Sequence, residues 1–334
     1  MTQKYKQVIE EIKKGKTFLV SSHVNPEGDA VGSLLSLALG LKEFKKDVTA
    51  YLYDPVPKVF TFLPFADKVI NKIDENKIYD AVLVVDCGQK DRLGEDFSKI
   101  KNKGKLINID HHATNDCFGD INVIDADACA AGEMVYDLLK EIPVAITRDI
   151  ATSIYTSIVT DTGSFRYSST TPKVFNIAGE MLKLGVDPWD ISQRVYESNP
   201  LSKLKLLASV LNTLEVTDGG KVASLVVTLD MLNKANATKE LADGFVNYAR
   251  TVEGVEVGVL FREAKPGEYK ISFRSKGRID VAEISQGFGG GGHINAAGCN
   301  IKGNLKDIKE KVIQATAKKI HETISDQQSV INRN

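Results

Sequence analysis

Apolar residues along the chain fall into two textures. In the first half they gather in short runs: 18–20 ahead of Ser21-Ser22-His23, 48–53, 81–85 ahead of Asp86, and 105–109 ahead of Asp110. Helical stretches fit at 5–14 and 31–44, and short apolar runs alternating with helices imply a parallel, doubly wound sheet. Residues 147–160 read as a helix, with Thr147 at the N-cap position and Asp161 delivered at the far end. From 187 to 214 the pattern is helical without strands, punctuated by Pro188 and Asn199-Pro200, as in a connector. After Gly219-Gly220 strand-like runs return at 222–229, 255–261 and 269–273, with helices at about 239–250, 280–287 and 305–324. The expected organisation is an N-terminal α/β domain (1–186), a helical connector (187–214) and a smaller α/β domain (215–334) large enough for its own core.

Composition narrows the functions. Lys+Arg (43) and Asp+Glu (44) nearly cancel over 334 residues, whereas a protein gripping long nucleic acid through its phosphates carries a basic excess. A nucleic-acid partner should therefore be short or held in a local patch. The four cysteines, at 87, 117, 129 and 299, form no CxxC pair, which argues against a disulfide framework or a zinc knuckle. Residues 1–16 are charged throughout, and no run approaches the ~18 apolar residues of a membrane span. The expectation is a soluble, cytoplasmic protein with no membrane partner.

The candidate chemistry sits where apolar runs end. His23-x3-Glu27-x-Asp29 puts one imidazole and two carboxylates within seven residues, and Gly28 and Gly32 would let that backbone turn tightly beside an ion. Asp86, Asp110-His111-His112 and Asp161 end other segments. A lone His or Asp after a strand is usually a capped or turn residue. Five such events at the carboxyl edge of one sheet, where open α/β sheets bind ligands, point instead to one polar cluster. His23, Glu27, Asp29, Asp86, His111 and Asp161 make a mixed N/O set without sulfur, suited to Mn²⁺ or a similar octahedral ion. Four carboxylates would nearly neutralise two divalent cations, and a two-metal site can activate water for displacement at phosphorus.

In the second half, Gly287-Phe288-Gly289-Gly290-Gly291-Gly292-His293 could converge backbone N–H groups on an anion, with His293 as a further donor. A glycine run by itself is most often a flexible loop. Arg274-Ser275-Lys276-Gly277-Arg278 supplies guanidinium groups suited to phosphate, and Arg262 could point the same way. Phe288 could stack on a base, and Arg166, just after Asp161, could touch substrate.

These motifs, in this order, resemble the DHH phosphoesterase family, and the second domain, with Gly289–Gly292, His293 and the following Ile294-Asn295-Ala296-Ala297-Gly298, resembles its companion DHHA1 domain. The resemblance implies that His23, Glu27 and Asp86 hold one metal, and that Asp29, Asp86, His111 and Asp161 hold the second, with Asp86 bridging. It places catalytic His112 at the substrate phosphate or leaving oxygen, Asp110 behind the histidine pair, and Arg274, Ser275, His293 and Gly290–Gly292 at the substrate. The family usually carries Asp where this chain has Glu27. The implied cofactors are two Mn²⁺ ions, and the implied substrates are short RNA oligonucleotides, 3′-phosphoadenosine 5′-phosphate (pAp) or dinucleotides, in a cleft between the domains; a homodimer is compatible. A cyclic- or linear-dinucleotide phosphodiesterase is the alternative activity, and a nucleotide-binding sensor the non-enzymatic one.

Overall fold

The computed structural model describes residues 5–331; the side chains of His293 and of 326–331 lie outside the described set. The chain divides into two compact units, residues 1–198 and 199–334. In the first, α1 (Lys6–Lys14) buries Val8, Ile9 and Ile12, one stripe of a 3.6-residue period. Then follow β1 (Thr17–Ser21), α2 (Gly28–Glu43), β2 (Asp47–Tyr51), β3 (Ala81–Val85), β4 (Lys105–Asp110), β5 (Ile121–Ile124), α3 (Ala131–Lys140), α4 (Arg148–Asp161), α5 (Pro172–Lys183) and α6 (Pro188–Ser192).

The five strands form one wholly parallel sheet in the order β2-β1-β3-β4-β5. Alternation along the strands sorts the core. Phe18, Val20, Leu83, Val85, Ile107 and Ile109 face one layer with the helices, whereas Leu19, Val82, Val84 and Leu106 face Leu93, Phe97 and Ile100 on the other side. Sheet growth reverses direction between β1 and β3, a topological switch point where α/β sheets open a crevice at their carboxyl ends. Thr147 caps α4 as expected, its hydroxyl accepting from the Ile150 N–H. The helix α3 has Ala130 at its N-cap position, with no side-chain cap of its own.

The second unit comprises α7 (Leu201–Leu211), β6 (Glu215–Thr217), β7 (Val222–Val227), α8 (Leu229–Ala235), α9 (Val246–Arg250), β8 (Val257–Lys265), β9 (Glu268–Ser275), α10 (Val281–Gln286), β10 (Gly291–His293), β11 (Ala296–Lys302) and α11 (Leu305–Ile331). Its sheet runs β10-β11-β9-β8-β7-β6, antiparallel except between β7 and β8. One face packs Phe261, Ile271 and Phe273 against α10 and α11; the other packs Leu225 and Val227 against α7 and α9.

Two sequence expectations change here. The helix expected at 239–250 is two short pieces, because Gly244 takes a left-handed φ of +84° between them. The stretch 187–214 divides at the unit boundary: Ile191 belongs to the first core, while Leu206 and Val210 belong to the second.

Candidate active site

Three adjacent strands end side by side. β1 leads to His23, β3 to Asp86 and β4 to His111, while Asp29 enters from the first turn of α2 and Asp161 from the last of α4. Asp86 carries a φ of +52°, a left-handed backbone that costs a non-glycine residue about 1–3 kcal/mol and persists only where neighbours enforce it. Enforcement comes from the Asp86 N–H donating to the Ile109 carbonyl (3.1 Å) and from Ser22 Oγ donating to the Val85 carbonyl (2.7 Å). The strained turn aims the carboxylate into the cluster. Asp86 Oδ2 lies 3.5 Å from His23 Nε2, and Oδ1 lies 3.5 Å from His111 Nε2. His111 Nε2 is also 3.5 Å from Asp29 Oδ2 and 3.7 Å from Asp161 Oδ2. Metal–ligand bonds of about 2.0–2.2 Å set neighbouring donors roughly 3–3.5 Å apart, so these spacings fit donors that share ions.

The imidazoles are oriented from behind. His23 Nδ1 donates to the Val24 carbonyl (2.7 Å) and His111 Nδ1 to the Ala128 carbonyl (3.3 Å), which leaves each Nε2 as the ligating atom. His112 is held differently. Its Nδ1 is 2.7 Å from Asp110 Oδ1, and the fully buried Asp110 accepts a second bond from Asn115 Nδ2 (2.6 Å). That carboxylate raises the His112 imidazolium above its ordinary range.

Charge in the cluster is unbalanced. Burial, with Asp86 and Asp161 nearby, pushes the Asp29 carboxyl well up, although its oxygens accept from Ala131 N (2.7 Å), Gly132 N (3.1 Å) and Ser157 Oγ (2.5 Å). Desolvation lifts Asp161 to about 6 against the pull of His111. Burial opposes ionisation of Asp86, but bonds from His111 and His23 outweigh it and hold the carboxyl low. Burial also opposes the His111 imidazolium, yet the surrounding carboxylates raise it to about 10. So many buried acids around so few histidines leave room for added positive charge, and the N/O donor set fits divalent cations. Asp161 marks the open side: its side chain is 40% exposed, against 5–6% for Asp29 and Asp86.

Not every expected residue joins this group. Glu27 is exposed at the start of α2 and makes none of these close contacts among the described residues, although its charge is felt at Asp161. Gly28 and Gly32 do not form a tight turn beside an ion. Both lie within α2, where a Cβ would meet Thr160 Oγ1 at 2.4 Å and the Ser153 carbonyl at 2.6 Å; they let α2 press against α4. Arg166 is exposed, and its Nε donates to the Gly163 carbonyl (2.6 Å) within the turn that follows Asp161.

In the second unit, Arg274 and Ser275 end β9, with Arg274 opposite Ala296 and Gly258. The Arg274 guanidinium donates to the Phe273 carbonyl (2.9 Å). Ser275 is buried, its hydroxyl donating to Asn295 Oδ1 (3.0 Å) and its N–H to the Asn295 carbonyl (3.1 Å). The Ser275 bonds and the register of Arg274 against Ala296 place both residues beside the β10–β11 hairpin, which begins in the glycine run. A Cβ at Gly290 would strike the Gly298 carbonyl at 2.3 Å, and Gly292 has a φ of +143°; both glycines are required by the backbone, whereas Gly291 has open space. The side chain of His293 lies outside the described residues. Phe288 is half-buried against the second core. Arg262 stands opposite Lys270, four residues and roughly 13 Å along β9 from Arg274. Its guanidinium bonds Asp243 (2.9 Å) and the Lys239 carbonyl (2.8 Å), which the strand pattern gave no means of foreseeing.

Sequence reasoning missed the supporting groups. Asn115 lies five residues past Asp110, and Ser157 lies one helical turn before Asp161 on the same face, a spacing that could have flagged it. The α3 N-terminus that meets Asp29 gave no local signal.

The chain matches the family model "DHH family, N-terminal domain" over residues 17–158 and "DHHA1 domain" over 219–322. It is 35% identical to the bifunctional oligoribonuclease and PAP phosphatase NrnA of Thermus thermophilus, over 90% of this chain and 89% of that one. It is 28% identical to the Bacillus subtilis protein of the same name, over 88% and 92% of the two chains. Its fold superposes on an exopolyphosphatase-related protein from Bacteroides fragilis with a TM-score of 0.89 and 26% identity, covering 95% and 96% of the two chains. No helix among the described residues is long and apolar enough to cross a membrane. With the strand-end cluster, these matches place the chain in the DHH/DHHA1 phosphoesterase family.

Proposed function

We propose that this protein hydrolyses short oligoribonucleotides to mononucleotides and removes the 3′-phosphate of pAp, using two divalent metal ions, with Mn²⁺ favoured by the sulfur-free N/O donors. The observation that carries the reading is Asp86, whose two oxygens reach separate donor sets, His23 on one side and His111 with Asp29 and Asp161 on the other. In this assignment His23, Glu27 and Asp86 hold one ion, and Asp29, Asp86, His111 and Asp161 the other. Glu27 would have to turn inward from its exposed position, and its extra methylene shifts its reach relative to the family's usual Asp. When bound, the ions supply a water able to attack at neutral pH and offset the charge of in-line displacement at phosphorus.

The chain's own residues do the rest. With Nδ1 bonded to Asp110, His112 would pass a proton to the leaving oxygen from Nε2, the carboxylate stabilising the charged ring meanwhile. Arg274, Ser275, His293 and Gly290–Gly292 are assigned to the substrate's phosphate and nucleoside; the Gly290 N–H, which donates to the Ser285 carbonyl (2.9 Å), is not among the donors. The names of the Thermus thermophilus and Bacillus subtilis relatives support both activities.

The test is Mn²⁺-dependent hydrolysis of pAp, a short oligoribonucleotide and a cyclic dinucleotide side by side, with Asp86→Ala as the blank. Mononucleotide release from the short RNA and AMP release from pAp, both absent in the blank, are expected. Turnover of the cyclic dinucleotide alone would overturn the reading in favour of a dinucleotide phosphodiesterase.

A further inference from the structure

We propose that Arg92 is a phosphate-binding residue of this site, a role that rests on the phosphoesterase reading above. Arg92 lies in the 3-10 turn Lys90–Leu93 that follows Asp86. Its backbone is pinned on both sides. The Arg92 carbonyl accepts from the Val24 N–H (2.6 Å), tying this turn to the loop that carries His23, and the next residue, Leu93, is fully buried. The half-buried guanidinium reaches the cluster, with Nη2 3.0 Å from His23 Nδ1.

That contact satisfies the guanidinium only in one tautomer of His23. A histidine that ligates through Nε2 carries its proton on Nδ1, and here Nδ1 already donates to the Val24 carbonyl at 2.7 Å. Guanidinium nitrogens are donors only, so His23 can accept from Arg92 only with its proton on Nε2, and in the ligating tautomer the two would meet donor to donor. Arg92 makes no ion pair with any carboxylate among the described residues, even though Asp86 lies 3.5 Å beyond the same imidazole. A half-buried cation with no carboxylate partner among the described residues, at the rim of an acid cluster, matches a phosphoryl group: the planar fork bonds two phosphoryl oxygens at once, and its charge offsets theirs. Arg92 would thus hold the phosphoryl group on the His23 side of Asp86. It touches substrate and does not act through His23.

The experiment compares wild type, Arg92→Ala and Arg92→Lys, each with Mn²⁺. Bound Mn²⁺ and melting temperature are measured first, then calorimetric binding of inorganic phosphate and AMP, then kcat/KM on short RNA and pAp. The expected result is unchanged metal content and stability, with phosphate and AMP binding and kcat/KM all weakened about 10- to 100-fold in Arg92→Ala. Arg92→Lys, which keeps the charge without the fork, should recover only part. Loss of Mn²⁺ in Arg92→Ala would overturn the proposal, because Arg92 would then support His23. Wild-type affinity for phosphate and AMP in Arg92→Ala would overturn it directly. Should wild type hydrolyse neither substrate while Arg92→Ala still weakens phosphate binding, the proposed function fails and the role of Arg92 stands.

Discussion

The polar cluster of the first unit is made of side chains, whereas the glycine-rich hairpin of the second presents largely backbone. In the first, a parallel sheet directs His23, Asp86 and His111 from neighbouring strand ends into a buried, like-charged cluster. In the second, an antiparallel hairpin sets Arg274 and Ser275 beside a glycine run, and its surroundings show no comparable grouping of acids among the described residues. Crowded carboxylates raise one another's pKa and leave an energy that only cations or protons relieve. The glycine run carries no such debt, and the Gly289 and Gly290 N–H groups already donate to the Gln286 and Ser285 carbonyls (3.0 and 2.9 Å) instead of converging on an anion. One site should therefore depend on metal and pH, and the other on shape.

Substitutions can break that comparison, beginning with the largest effect. Asp86→Ala removes the carboxylate that reaches both donor sets, so turnover should fall more than about 1000-fold and bound Mn²⁺ should drop with it. Near-normal turnover would end the two-metal assignment. Asp110→Asn should cost about 10²- to 10⁴-fold in kcat with metal content intact, since it removes the charge behind His112 and leaves the ligands alone. A parallel loss of metal would show that Asp110 organises the cluster itself. Arg274→Ala should lower kcat/KM about 10- to 100-fold, again without loss of Mn²⁺. Metal lost in that variant would erase the division of labour between the units.

Protons sharpen the contrast. In metal-free protein His111 keeps its proton up to about pH 10, so every Mn²⁺ that engages it near neutrality displaces one. Apparent affinity should then weaken by about tenfold for each pH unit lowered, and further below about 6, where Asp161 also binds a proton. Calorimetry in buffers of different ionisation enthalpy counts those protons. Saturation at about 100 times the dissociation constant adds about 2.7 kcal/mol, which should raise the melting temperature of the metal-free protein by roughly 5–10 °C.

Much of this was legible because it is local. The buried strands β1, β3 and β4 are short apolar runs, and His23, Asp86 and His111 stand just past their ends, so sheet edge and cluster could be read together. What escaped was set by distance in sequence. The start of α3 shows Ala130 where a capping residue belongs; its first N–H groups are satisfied by Asp29, about a hundred residues earlier. Arg92 carries no motif, and its place is visible only once its turn is bonded to Val24. Arg262 looked like its neighbour Arg274 in sequence, yet Asp243 claims it. Gly28 and Gly32 look in sequence like residues for a tight turn beside an ion, because the helix-to-helix contact they permit is not a local property.

The smallest expected effect is the most discriminating for the second unit. Gly32→Ala would press a methyl to within 2.6 Å of the Ser153 carbonyl and should destabilise the first unit by about 1–3 kcal/mol. Gly291→Ala meets nothing within 4 Å and needs no left-handed backbone, so its stability should stay within about 1 kcal/mol of wild type. Any weakening of AMP binding in Gly291→Ala therefore cannot come from damage to the fold; it reports a ligand approaching the backbone where the methyl now stands. Unchanged AMP affinity and turnover would mean that the glycine run serves only the turn and the close contact at Gly290. Recognition in the second unit would then have to come from side chains, with Arg274 and Ser275 the first to test.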